Sequence, residues 1–150
     1  MSVFERLLPN LDAAKWAEVG GATVDTLAML GASLPLTLLA GLPLGVLLYL
    51  TGRRQLHDRP VLHGVLAFIV NLLRSVPFII LMIALIPLTL MVAGTSLGVR
   101  GAILPLVVGA APFHARLVEN ALREVDRGVV EASLVLGART RQLVLKVLLP

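Results

Sequence analysis

Cysteine is absent from the chain, and only 15% of its 150 residues carry a charged side chain. The first absence excludes a disulfide-stapled secreted domain. The second is more restrictive, because an average soluble domain is about 25% charged and about 45–50% apolar. Here 57% is hydrophobic, and about two thirds is apolar or glycine once the 13 glycines are added. A soluble globule of this size has too much surface to cover with so few charges. A mean hydropathy of +0.93 also excludes a disordered or collagen-like chain. Catalytic signatures are missing as well. There is no Ser-His-Asp order, no Gly-rich phosphate loop and no His-Glu-x-x-His, and neither Ser75 nor Ser133 has a nearby base. His57, His63 and His114 fall at no metal-ligand spacing and read as scattered interfacial histidines. What remains is a membrane protein without visible hydrolytic machinery.

Long uncharged runs supply the spans. Thr26 to Gly52 is 27 residues without a charge, about 40 Å as a helix and enough for a hydrocarbon core of about 30 Å. Ser75 to Val99 is a second run of 25, preceded by the apolar stretch Val65 to Leu73. Gly101 to Ala115 is a third and continues past Arg116. Three spans are predicted, near residues 27–50, 65–92 and 99–122, with a turn at 93–98 between the last two. The first run starts too late and is too long for a signal peptide, and Asp25 rather than a basic residue precedes it.

The net charge of +4 and pI near 10.7 become a topology signal once the Lys and Arg are placed. Residues 1–25 hold Arg6 and Lys15 against four acids; Arg53, Arg54 and Arg59 follow the first span. Arg100 stands alone near the 93–98 turn, and Arg123, Arg127, Arg139, Arg141 and Lys146 follow the third span. This poor–rich–poor–rich alternation places the N-terminus outside and residues 51–64 and 123–146 in the cytoplasm. Nucleic-acid binding has no role in this reading.

Each span contains proline: Pro35 and Pro43, Pro77 and Pro87, Pro105 and Pro112. Neighbouring helices can satisfy the carbonyls that proline frees, and Gly41-x-x-x-Gly45 has the spacing of a close-packing motif. Arg74 is the one charge inside the second span, at a cost of at least about 2.5–3.5 kcal/mol. Two readings stand for it. It is a link between helices or a snorkelling side chain, or it lines the pathway and pairs with a substrate carboxylate.

Beyond the third span, Arg116, Asn120, Arg123 and Arg127 form one polar helical stripe, with Glu119 and Arg123 paired at i, i+4. Val129 to Leu136 reads as a short amphipathic helix ended by Gly137, and Thr140 as the cap of a helix running on through Val147. The pattern Glu131-Ala132-Ser133, three residues, Gly137, nine residues, Val147-Leu148-Leu149-Pro150 resembles the EAA signature of type I ABC importer permeases. It departs from that signature at Ser133 for Ala and Val147 for Ile. From about Asp25 onward the chain is similar to the methionine permeases of that family. The likeness includes Gly41-Leu42-Pro43-Leu44-Gly45, Asn71-Leu72-Leu73-Arg74-Ser75-Val76-Pro77-Phe78 and Val108-Gly109-Ala110-Ala111-Pro112-Phe113.

The resemblance implies an all-α polytopic membrane bundle in the bacterial inner membrane, with residues 1–24 as an extracytoplasmic segment and 25–150 as the permease domain. It further implies a cytoplasmic coupling segment, 128–150, in which Glu131, Ala132, Ser133 and Gly137 dock on a separate ATPase subunit. ATP and Mg would be bound there and not on this chain. A solute-binding protein would deliver the amino acid outside, near residues 1–25 and 93–100, and the permease would pair with a second copy. Family members have five spans; three of five are expected here, as in a fragment or a chain truncated after the coupling helix. An importer for another small polar solute, and an ATP-independent channel or carrier, remain as alternative readings.

Overall fold

The computed structural model describes residues 13–52 and 59–148. Arg53, Arg54 and His57, and the last two residues of the signature, Leu149 and Pro150, lie outside the described residues. So do residues 1–12 of the N-terminal segment. Every regular element among the described residues is helical.

Helix α1 (Ala13–Thr51) runs for 39 residues straight through Pro35 and Pro43. The next apolar stretch is not one rod. Helix α2 (Pro60–Ser75) stops at Val76, and α3 (Phe78–Ala84) leaves at 106° to it. The cause is local. A residue before proline is pushed out of the α region, and Val76 (φ −78°, ψ 127°) and Pro77 (φ −55°, ψ 134°) are both extended, so the chain turns there. A second break at Leu85 starts α4 (Ile86–Ala93), with Pro87 tolerated in its first turn. The stretch expected as a single span at 65–92 is therefore three helices with two breaks.

Gly94, at φ 72°, closes α4 in the left-handed conformation, and its N–H bonds the Leu90 carbonyl at 3.0 Å. The turn expected at 93–98 is thus present. Helix α5 (Gly98–Glu124) then returns over 27 residues and carries Pro105 and Pro112 internally. Helices α1 and α5 are each long and apolar enough to cross a membrane, and the bent pair α2–α3 makes a third crossing if it counts as one span.

The bundle closes on the α1–α5 contact. Gly41 and Gly45 face α5 so closely that a Cβ at Gly45 would lie 2.6 Å from the Ala115 carbonyl oxygen and the Val118 Cβ. A Cβ at Gly41 would lie 2.8 Å from the His114 ring. Within lipid the hydrophobic effect does not drive helices together, so this backbone approach and its dispersion contacts hold the pair. Helix α2 adds Val70 to Leu48 and Ala115 in a small core. His63 Nδ1 lies 3.1 Å from the Leu48 carbonyl, tying α2 to α1, so this histidine is a helix–helix link. Most large apolar side chains point outward, Met91 being 84% exposed, as suits a chain surrounded by lipid or by further protein.

Candidate functional site: the coupling segment and the polar network above it

Asp126 starts α6 (Arg127–Val135) as its N-cap, its Oδ1 accepting the Gly128 N–H at 2.6 Å. The helix ends in a full Schellman motif. The Ala138 N–H reaches the Ser133 carbonyl at 3.0 Å and the Gly137 N–H reaches the Leu134 carbonyl at 2.9 Å. Gly137 sits at φ 81°, as its predicted role as a stop requires.

Helix α7 (Thr140–Leu143) follows and runs into a π-helical turn, Val144–Leu148. Its cap is not Thr140, as expected, but Arg139, one residue earlier; Gln142 Oε1 accepts the Arg139 N–H at 2.9 Å. Thr140 has helical backbone geometry and is already inside the first turn, where a hydroxyl has no capping work to do.

These short helices are held against the ends of the long ones. Leu143 is fully buried among Tyr49 of α1, Leu122 of α5 and Val130 of α6. One face of α6 is thereby anchored and the other is presented outward. Glu131 and Ala132 are exposed, and Val135 and Leu136 are each 87% exposed. Ser133 is half-buried, and its hydroxyl donates to the Val129 carbonyl at 2.7 Å. All four signature residues, Glu131, Ala132, Ser133 and Gly137, lie on α6 or its stop.

Just above this segment is a network only half visible in the sequence. Glu119 is 1% exposed and accepts from Arg116 Nη1 and Arg123 Nη2, both at 2.6 Å. The Arg123 pair is the one predicted. Arg116 is more than part of a solvated stripe: its Nη2 crosses to α2, donating to Asn71 Oδ1 at 3.0 Å and to the Ala67 carbonyl at 3.3 Å. The i, i+3 spacing of Arg116 and Glu119 was the available signal. Its reach to α2 requires the tertiary fold.

Arg74 lies in the last turn of α2, away from the coupling segment, with its guanidinium carbon 5.7 Å from the centroid of the Phe113 ring. It borders a cavity of about 500 Å³ between the α2–α3 elbow and the middle of α5.

Residues 41–150 match the family described as "Binding-protein-dependent transport system inner membrane component". The chain belongs to that family. Among its relatives, the D-methionine transport system permease protein MetI of Escherichia coli (strain K12) is 50% identical over 135 residues, covering 90% of this chain and 62% of MetI. The methionine import system permease protein MetP of Bacillus subtilis (strain 168) is 45% identical over 148 residues, covering 99% of this chain and 65% of MetP. An inward-facing crystal structure of the MetNI methionine ABC transporter superposes with a TM-score of 0.90 at 46% identity, covering 93% of this chain and 65% of that one. The chain thus spans just under two thirds of the length of the relatives it matches. Its fold is that of an all-α inner-membrane permease, and it is an integral membrane protein.

Proposed function

We propose that this chain forms part of the membrane permease subunit of an ATP-driven importer whose substrate is methionine. The observation that carries this reading is α6: a capped, Schellman-terminated helix clamped by Leu143 and Val130 beneath the ends of α1 and α5, with its other face open. A helix held on one side and bare on the other suits docking by a second protein. Val135, Leu136 and Glu131 offer that protein an apolar rim and a charge. The names and folds of the relatives support methionine as cargo and an ABC ATPase as partner.

In this reading the Lys- and Arg-rich segments 51–64 and 123–146 are cytoplasmic, so α6 faces the ATPase. ATP and Mg bind to that partner, and this chain transmits its motion. A solute-binding protein loads the outer face near residues 93–100, and two permease copies enclose the path. The test is uptake of radiolabelled methionine by the full-length permease, reconstituted with its ATPase and binding protein in proteoliposomes. Uptake that requires ATP on the ATPase side supports the reading. Uptake indifferent to ATP would make the protein a channel or carrier, and ATP-driven uptake of another solute alone would replace methionine.

A further inference from the structure

Arg74, a cation within a predicted span, has no intramolecular counter-ion among the described residues. Among the described residues both ion pairs belong to Glu119, and Arg74 has only the face of Phe113. It also lies deep. Helix α2 carries it 14 residues from Pro60, about 21 Å, and the residues of α5 across the cavity, Gly109, Ala110 and Phe113, bracket the midpoint of that 27-residue helix. Charged groups at such depth face protein or water and mark pathways.

The surroundings are shaped for one kind of anion. The cavity of about 500 Å³ has apolar walls from Leu73, Val76, Leu81 and Leu106, and among the described residues Arg74 is the one charged group lining it. Its volume lies in the ordinary range for small-molecule sites. Gly109 keeps it open, because a Cβ there would already lie 3.3 Å from the Phe78 ring. The C-terminal end of α2 also ends at the cavity. The Leu73 carbonyl has no helical donor, since the fourth residue on is Pro77, which lacks an N–H. The carbonyl end of a helix attracts cations.

We infer that this cavity is a substrate subsite for a free α-amino acid with an apolar side chain. Arg74 binds the α-carboxylate, the last-turn carbonyls of α2 face the ammonium, and the apolar walls take the side chain. The assignment rests on the importer reading above and adds to it the residue that contacts the cargo.

The test uses the full-length permease with its ATPase and binding protein in proteoliposomes, with radiolabelled methionine as probe. Losing a charge-assisted contact is expected to lower uptake about tenfold or more in Arg74→Gln. ATPase stimulation by the methionine-loaded binding protein should stay within about twofold of wild type, since the coupling surface is untouched. Arg74→Lys should recover part of the uptake, and Arg74→Glu should fall below Arg74→Gln because it repels the carboxylate. Gly109→Leu, which fills the cavity, should also lower uptake. Arg74→Gln at wild-type uptake, or equal rates for Gln and Glu, would overturn the subsite while leaving the importer reading intact. Loss of both uptake and ATPase stimulation would make Arg74 a structural link and overturn it too. A wild-type complex that takes up no methionine with ATP would remove the importer reading, and the subsite with it.

Discussion

Arg116 Nη1 and Glu119 Oε2 lie 2.6 Å apart on consecutive turns of α5, with the carboxylate buried and the arginine reaching on to Asn71 of α2. This pair joins the arm that ends in the coupling segment to the helix that ends at the Pro77 elbow. Helix α5, which leads into α6, is thereby tied to α2 by polar bonds, besides the apolar contacts of Leu48, Val70 and Ala115.

The first prediction concerns that pair. Removing one member of a buried ion pair strands the other charge, at about 3–5 kcal/mol. Glu119→Ala should lower the thermal unfolding temperature of the detergent-solubilised full-length permease sharply, and Arg116→Ala should lower it less, because Glu119 keeps Arg123 while the bond to Asn71 is lost. Arg123 is 51% exposed, so Arg123→Ala should cost no more than about 1 kcal/mol. Equal effects of Arg116→Ala and Arg123→Ala would show that burial does not grade this network.

A second prediction tests the α1–α5 seam. Gly45→Val places atoms where the Ala115 carbonyl and Val118 already stand, and overpacking of this kind costs about 1–3 kcal/mol. Gly64 of α2 meets nothing within 4 Å, so Gly64→Ala should be neutral or gain up to about 1 kcal/mol from helix propensity. Thermal unfolding of the two variants side by side checks the contrast.

Much of this was legible in sequence. The long uncharged runs marked α1 and α5, the glycine pair at 41 and 45 marked their seam, and Gly137 marked the end of α6. The elbow was not. Hydropathy is blind to direction, and Pro77 alone permits a kink, a break or an intact helix; only the extended geometry of Val76 together with Pro77 makes the turn 106°. Thr140 misled because it is a good capping residue one position too late. The Arg116–Asn71 contact joins residues 45 positions apart, which no local pattern encodes.

A third prediction concerns the helix stop. Gly137 holds φ 81°, which costs other L-residues roughly 1–2 kcal/mol. Gly137→Val should misdirect the chain between α6 and α7. In reconstituted full-length complex it should reduce ATP-driven uptake more than Gly137→Asn, because Asn tolerates the left-handed region. Equal uptake in both variants would separate this turn from coupling.

The most direct test of the account is where α6 lies and what it touches. These 150 residues hold no cysteine, so in a full-length permease with any cysteine elsewhere replaced, Ser133→Cys and Val135→Cys place single thiols at a half-buried and an 87% exposed position. In inner-membrane vesicles containing the full-length permease and its ATPase, a short photo-cross-linker attached to either thiol should couple to the ATPase on illumination, with a yield that changes when ATP is added. Reaction of these cysteines only with an impermeant reagent from the extracytoplasmic side, and no cross-link, would contradict both the topology and the coupling role.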